Sequence, residues 1–114
     1  MNSERPTINV RVSDQITADQ IADICYGMEE EGVPSNVTWE PSINPLELAH
    51  EASIESRLGV GIGIALNYAV ITTEKLPAER PYIAVNLGQD VARNRAIGAN
   101  AARLVKRIPL LPLN

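Results

Sequence analysis

The stretch LGVGIGIA, Leu58 to Ala65, alternates glycine with large aliphatic residues. A strand turns successive side chains to opposite faces. Leu58, Val60, Ile62 and Ile64 therefore fill one face, while Gly59, Gly61 and Gly63 leave the other bare. A bare strand face is where another backbone can come close, so the alternation predicts a helix lying directly on a sheet at this point. The same glycines do not form a dinucleotide loop. That fingerprint needs its third glycine three residues after the second and ahead of a helix, but position 64 is Ile and a second β run follows, with no lysine of the Walker type.

Around this strand the periodicities give the order β-α-β-α-β-β-β-α. Thr7 to Ser13 alternates Ile8, Val10 and Val12 with polar residues, a strand signature. Thr17 is placed to cap a helix whose Ile21, Ile24, Cys25 and Met28 form one apolar face, with Gly32 as a left-handed cap and Pro34 barring continuation. Ser35 to Glu40 reads as a second strand, and Asn44 with Pro45 opens a second helix. Arg57 to Ala65 and Tyr68 to Thr73 are two β runs in a tight hairpin around Leu66 and Asn67. A turn at Leu76 to Pro81, a fifth strand at Tyr82 to Leu87 and a long helix from Asp90 to before Pro109 complete the chain. This order predicts an α/β fold with a mixed sheet carrying helices.

With 114 residues the chain suits a single domain, 1–114, able to bury roughly two thirds of its unfolded surface. No apolar run reaches the roughly 18 residues of a membrane span. The amino terminus has no signal-peptide pattern, and one cysteine makes no internal disulfide, so a cytoplasmic location is expected. Charge is divided unevenly. Residues 1–56 carry 11 acids and 2 bases, and residues 57–114 carry 3 acids and 8 bases. Such a split suggests a dipolar surface facing a partner.

Groups for catalysis are missing. His50 is the sole histidine and is expected to be an exposed helix residue, Cys25 belongs to an apolar helix face without a base, and no GxSxG or HExxH occurs. Arg93, Arg95, Arg103, Lys106 and Arg107 make the last helix basic. A pI near 4.9 and 4% aromatics argue against nucleic acid, so the basic side is expected to meet an acidic protein surface.

The first helix is the most informative. At 100° per residue Glu30 lies opposite the apolar centre, beside Asp19, Asp23 and Tyr26, with Gly27 close by. GMEEEGVP sets Glu29, Glu30 and Glu31 at the helix end where the peptide dipoles already concentrate negative charge. A solvated face is the plain reading of this stripe. An interface accounts better for the exposed aromatic, for a mid-helix glycine that admits a partner backbone, and for the misplaced acids.

Three blocks, ICYGMEEEGVP, KLPAERPYI and RNRAIGANAARLVKRIPL, resemble in order and spacing the small subunit of the reactivating factors for coenzyme-B12-dependent glycerol and diol dehydratases. The resemblance spans nearly the whole chain and is weakest over residues 36–57. It implies a three-layer α/β/α sandwich with a mixed five-stranded sheet, akin to anticodon-binding domains. It also implies a subunit that is not itself an enzyme and has no cofactor of its own. A large subunit with an ATPase domain would bind ATP or ADP, two large and two small subunits would form the factor, and the small subunit would change places with the dehydratase medium subunit on the dehydratase large subunit, releasing damaged cobalamin. The client would act on glycerol or 1,2-propanediol, inside or outside a bacterial microcompartment, with no part for nucleic acid or membrane.

By the resemblance, Glu30 matches a glutamate that reaches a Mg²⁺ held mainly by the large subunit, and Asn94, Gly98, Asn100 and Arg103 match the last block. Asp23, Tyr26, Gly27, Glu30, Asn94, Asn100 and Arg103 are accordingly the expected partner interface, with Glu30 as metal contact. Glu29 and Glu31 are expected to supply surface charge only. The competing readings are a small-ligand or nucleotide-binding α/β domain using the Gly59 to Gly63 strand end, and a fragment of a dehydratase medium subunit.

Overall fold

In the computed structural model, which describes residues 5–113, the chain forms β1 (Ile8–Ser13), α1 (Ala18–Glu30), β2 (Ser35–Glu40), α2 (Pro45–Glu55), β3 (Val60–Ala65), β4 (Tyr68–Thr73), β5 (Ile83–Asn86) and α3 (Val91–Lys106). The five strands make one sheet in the order β2-β1-β3-β4-β5. The pairs β1–β2 and β1–β3 are parallel, while β3–β4 and β4–β5 are antiparallel. The mixed α/β architecture expected from the sequence is thus the observed one.

The two faces of β3 decide the layers. Ile62 and Ile64 point with Val10 and Val12 of β1 and Ile71 of β4 into a core closed by Ile24 and Met28 of α1 and Ile97 and Ala101 of α3. On the other face Gly61 and Gly63 let α2 lie on the strand itself. A β-carbon on Gly61 would stand 2.7 Å from the carbonyl oxygen of Ala49, and one on Gly63 would stand 2.9 Å from the Ala49 α-carbon. Those distances are shorter than packing tolerates, so the glycines are a condition of the α2 layer. Gly59 has another role. It turns the chain at φ 72° with its N–H donating to Ser56 O, which is why the strand expected from Arg57 begins at Val60.

Arg11 of β1 clasps the α2 layer to the sheet edge. Its Nη1 lies 3.0 Å from Glu40 of β2 and 3.1 Å from Glu51 of α2, and its Nη2 pairs with Glu55. At the far end, α3 stops where Arg107 adopts φ 60°, and the tail folds back on the helix. Buried Asn100 donates to Leu111 O at 2.9 Å and accepts from Leu111 N–H at 2.6 Å.

Candidate partner-binding site

Helix α1 begins with a capping box, Thr17 accepting from Gln20 N–H while Gln20 accepts from Thr17 N–H. It ends at Gly32, whose φ of 79° suits the left-handed position after a helix. Its amphipathic pattern turns Ile21, Ile24 and Met28 inward. Gly27 is also buried. A β-carbon there would lie 2.9 Å from Ala99 N of α3, so the backbone that Gly27 admits is this chain's own. Gly98 of α3 does the same in return, facing the carbonyl of Ile24.

Close approach of the two helices brings the acidic stripe of α1 to the basic stripe of α3. Glu31 takes Arg103 Nε at 3.0 Å and Lys106 Nζ at 2.8 Å, and Lys106 also donates to the Glu31 backbone carbonyl. The Lys106 hydrogen bond first, with the Arg103 bond and both charges added, holds the Glu31 carboxyl below the ordinary glutamate range although partial desolvation works the other way. Glu31 is therefore a structural ion pair and not mere surface charge, and Lys106 at the α1 terminus offsets the unfavourable dipole. The acidic surface that α3 was expected to meet is, for Arg95, Arg103 and Lys106, that of α1.

Glu30 remains outward. Its side chain is 59% exposed, and Oε2 accepts from Arg95 Nη1 at 3.3 Å. Arg95 Nε lies 3.7 Å from Asp23, and its guanidinium carbon sits 5.8 Å from the centre of the Tyr26 ring, a cation–π arrangement. Asp23, Tyr26, Glu30 and Arg95 thus form one surface constellation. Sequence reasoning missed Arg95. The available signal was the pairing of an acidic and a basic helix stripe, each with a mid-helix glycine.

The other expected interface residues serve the fold. Asn94 is buried and donates to Gly88 O at 3.0 Å, holding the loop ahead of α3, and Asn100 anchors the tail as described. In the separate chain both side chains are thus engaged within the fold. Arg103 is shared between Glu31 and the carbonyl of Pro109.

Among the described residues no group of three or more His, Cys, Asp or Glu side chains could hold a metal. Glu30 can offer one exposed carboxylate to a hard cation whose other ligands come from elsewhere, and its oxygens fit that role chemically. Burial first, and the charge of Glu29 second, push the Cys25 thiol up, so it stays protonated and unreactive. His50 is half-buried rather than exposed, with Nδ1 enclosed. Gly61 and Gly63 are covered by α2, which leaves no opening there for a phosphate.

The family model described as dehydratase medium subunit matches residues 5–111. The chain belongs to this family. It is 40% identical over 91 residues to the propanediol dehydratase-reactivating factor small subunit of Citrobacter freundii, covering 80% of this chain and 78% of that one. It is 37% identical over 92 residues to the diol dehydratase-reactivating factor small subunit of Klebsiella michiganensis, covering 81% and 74%. Among solved structures, diol dehydratase-reactivating factor complexed with ADP and Mg²⁺ matches with a TM-score of 0.88 at 33% identity, over 96% of this chain and 100% of that one. A glycerol dehydratase reactivase matches with a TM-score of 0.89 at 31% identity, over 96% and 99%. The family's relatives named here are reactivating-factor small subunits, as the three sequence blocks suggested.

Proposed function

We propose that this chain is the non-catalytic small subunit of an ATP-dependent reactivating factor that frees B12-dependent glycerol or diol dehydratase of damaged cobalamin. The observation that carries the reading is the match, end to end at 33% identity, to a chain in a reactivating factor complexed with ADP and Mg²⁺. In this reading the large subunit binds the nucleotide and performs the ATPase chemistry, and two large and two small subunits form the complex. Membership in a family named for the dehydratase medium subunit supports exchange: a chain shaped like the medium subunit can take its place on the dehydratase large subunit, opening a way out for cobalamin. The expected site of action is the cytoplasm, with or without a microcompartment shell.

The constellation of Asp23, Tyr26 and Glu30 is the part of this surface offered to the large subunit. Glu30, at the end of α1, would supply one carboxylate to a Mg²⁺ held mainly by that subunit, and such a cation would neutralise the negative charge that Glu30 carries there. Asp23 and Tyr26 would flank it, and the aromatic ring exposed at 49% gives the contact an apolar component.

The test is reconstitution. Purified small and large subunits with ATP and Mg²⁺ should release cobalamin from inactivated dehydratase and restore its activity, and neither subunit alone should. A reconstituted pair that copurifies yet neither releases cobalamin nor restores activity defeats the reading. Glu30→Ala should weaken copurification with the large subunit while leaving the small subunit's own melting temperature unchanged, because its pair with Arg95 is exposed and such pairs contribute little.

A further inference from the structure

We propose that Arg95 is a built-in stand-in for the cation at Glu30: its guanidinium occupies the carboxylate in the separate subunit and gives it up when a divalent cation is presented at that surface. The proposal rests on the reading that Glu30 meets a partner-held metal. It concerns what Glu30 does before that meeting.

Three observations point to an exchangeable hold. The Arg95–Glu30 distance of 3.3 Å and the Arg95–Asp23 distance of 3.7 Å exceed the roughly 2.7–2.9 Å of a tight charge-assisted bond. Both Glu30 and Arg95 are open to water, with side chains 59% and 44% exposed, so their attraction is screened. Neighbouring Glu31 is the contrast. At 3.0 and 2.8 Å it is held by two cations while only 17% exposed, and it is committed to the α1–α3 contact. Of the two adjacent glutamates, the chain fixes one and keeps the other loosely covered.

Arg95 also has somewhere to go. If Glu30 turns to a metal, the guanidinium keeps Asp23 on its Nε side and the Tyr26 ring beneath it. A divalent cation approaching Glu30 repels Arg95 toward both. The exchange therefore leaves no unpaired charge behind. Without Arg95, Asp23 and Glu30 would face solvent as an uncovered anionic patch, open to any divalent cation.

Mn²⁺ is a suitable probe, since it broadens nearby amide resonances of the isolated, isotope-labelled chain. In Arg95→Met, half-broadening of the Tyr26 and Glu30 amides should need about five-fold less Mn²⁺ than in the wild type, the scale set by loss of an exposed ion pair. Glu30→Gln/Arg95→Met should lose that gain. Arg95→Lys, which keeps the charge but not the planar fork that spans two carboxylates, should fall between. Equal Mn²⁺ requirements in wild type and Arg95→Met overturn the proposal, as does a gain that survives Glu30→Gln. A purely structural Arg95 would instead lower the melting temperature of Arg95→Met without altering the Mn²⁺ response, which also overturns it. Copurification of Glu30→Gln with the large subunit is scored separately. Normal copurification defeats the metal-contact reading of Glu30, while the Mn²⁺ comparison alone decides whether Arg95 covers it.

Discussion

Gly98 lies face to face with the carbonyl of Ile24: a β-carbon on Gly98 would stand 2.8 Å from that carbonyl carbon and nearer still to its oxygen. Together with Gly27 it sets how near α1 and α3 come, and so whether the ion pairs above them can close. Gly98→Ala must push the helices apart. Overpacking of this kind costs about 1–3 kcal/mol, which urea denaturation would measure. In the same variant the Arg103–Glu31 and Lys106–Glu31 contacts should lengthen, because both bridge the same two helices.

On the other face of the sheet the expected effect is larger. Gly63→Val places a branched side chain where the α2 backbone runs. The helix cannot yield without releasing Leu48 and Ala52 from the core. A loss of about 3 kcal/mol or more is expected from combined overpacking and lost burial. Gly32→Ala is a useful comparison: the added β-carbon there meets nothing within 4 Å, and only the positive φ of 79° works against it, so about 1 kcal/mol is expected.

These glycines also show what the sequence could disclose. Gly61 and Gly63 were legible because strand alternation assigns each residue a face, and a face of glycines demands a covering backbone. Gly27 was legible only as an anomaly. A helical projection shows that it is not on the apolar side's centre, yet not which backbone approaches it, and the answer lay some 70 residues away in Arg95 and Ala99 of α3. The internal bonds of Asn94 and Asn100 were illegible for a related reason: polar residues matching the last block look alike whether they satisfy a partner's backbone or this chain's own carbonyls at Gly88 and Leu111. Ion pairs such as Arg11 with Glu40, Glu51 and Glu55 depend on strand order, which no local pattern records.

Acid should act through Glu31. Its carboxyl is held below the ordinary glutamate value, first by the Lys106 hydrogen bond, so the folded chain binds fewer protons than the unfolded one over that interval. The resulting stability is fully present above the unfolded value, roughly pH 4.3, and disappears as pH falls through the lower folded value. Glu31→Gln should flatten this acid limb in denaturation curves taken between neutral pH and about pH 3. Lys106→Met should flatten it in part, since Arg103 remains.

The tail gives a fourth prediction. Asn100→Ala removes a donor and an acceptor that together hold Leu111. Two hydrogen bonds of ordinary net strength amount to about 2 kcal/mol. Most of the change should be local: faster amide exchange at Leu111 and earlier proteolysis around Ile108 to Leu113, with α3 itself retained.

Strand β1 lies between β2 and β3, with Val10 opposite Val37 on one side and Ile62 on the other. During synthesis, then, the first strand made must wait for about 50 further residues before its second neighbour exists, and sheets closed over such separations form slowly. The wait is electrostatic as well. The acids that α1 will pair with Arg95, Arg103 and Lys106 emerge long before those cations are translated. A chain halted near residue 56 consequently carries 11 acids against 2 bases with only β1 and β2 of the five strands made, and the sheet cannot close until the carboxyl-terminal half follows.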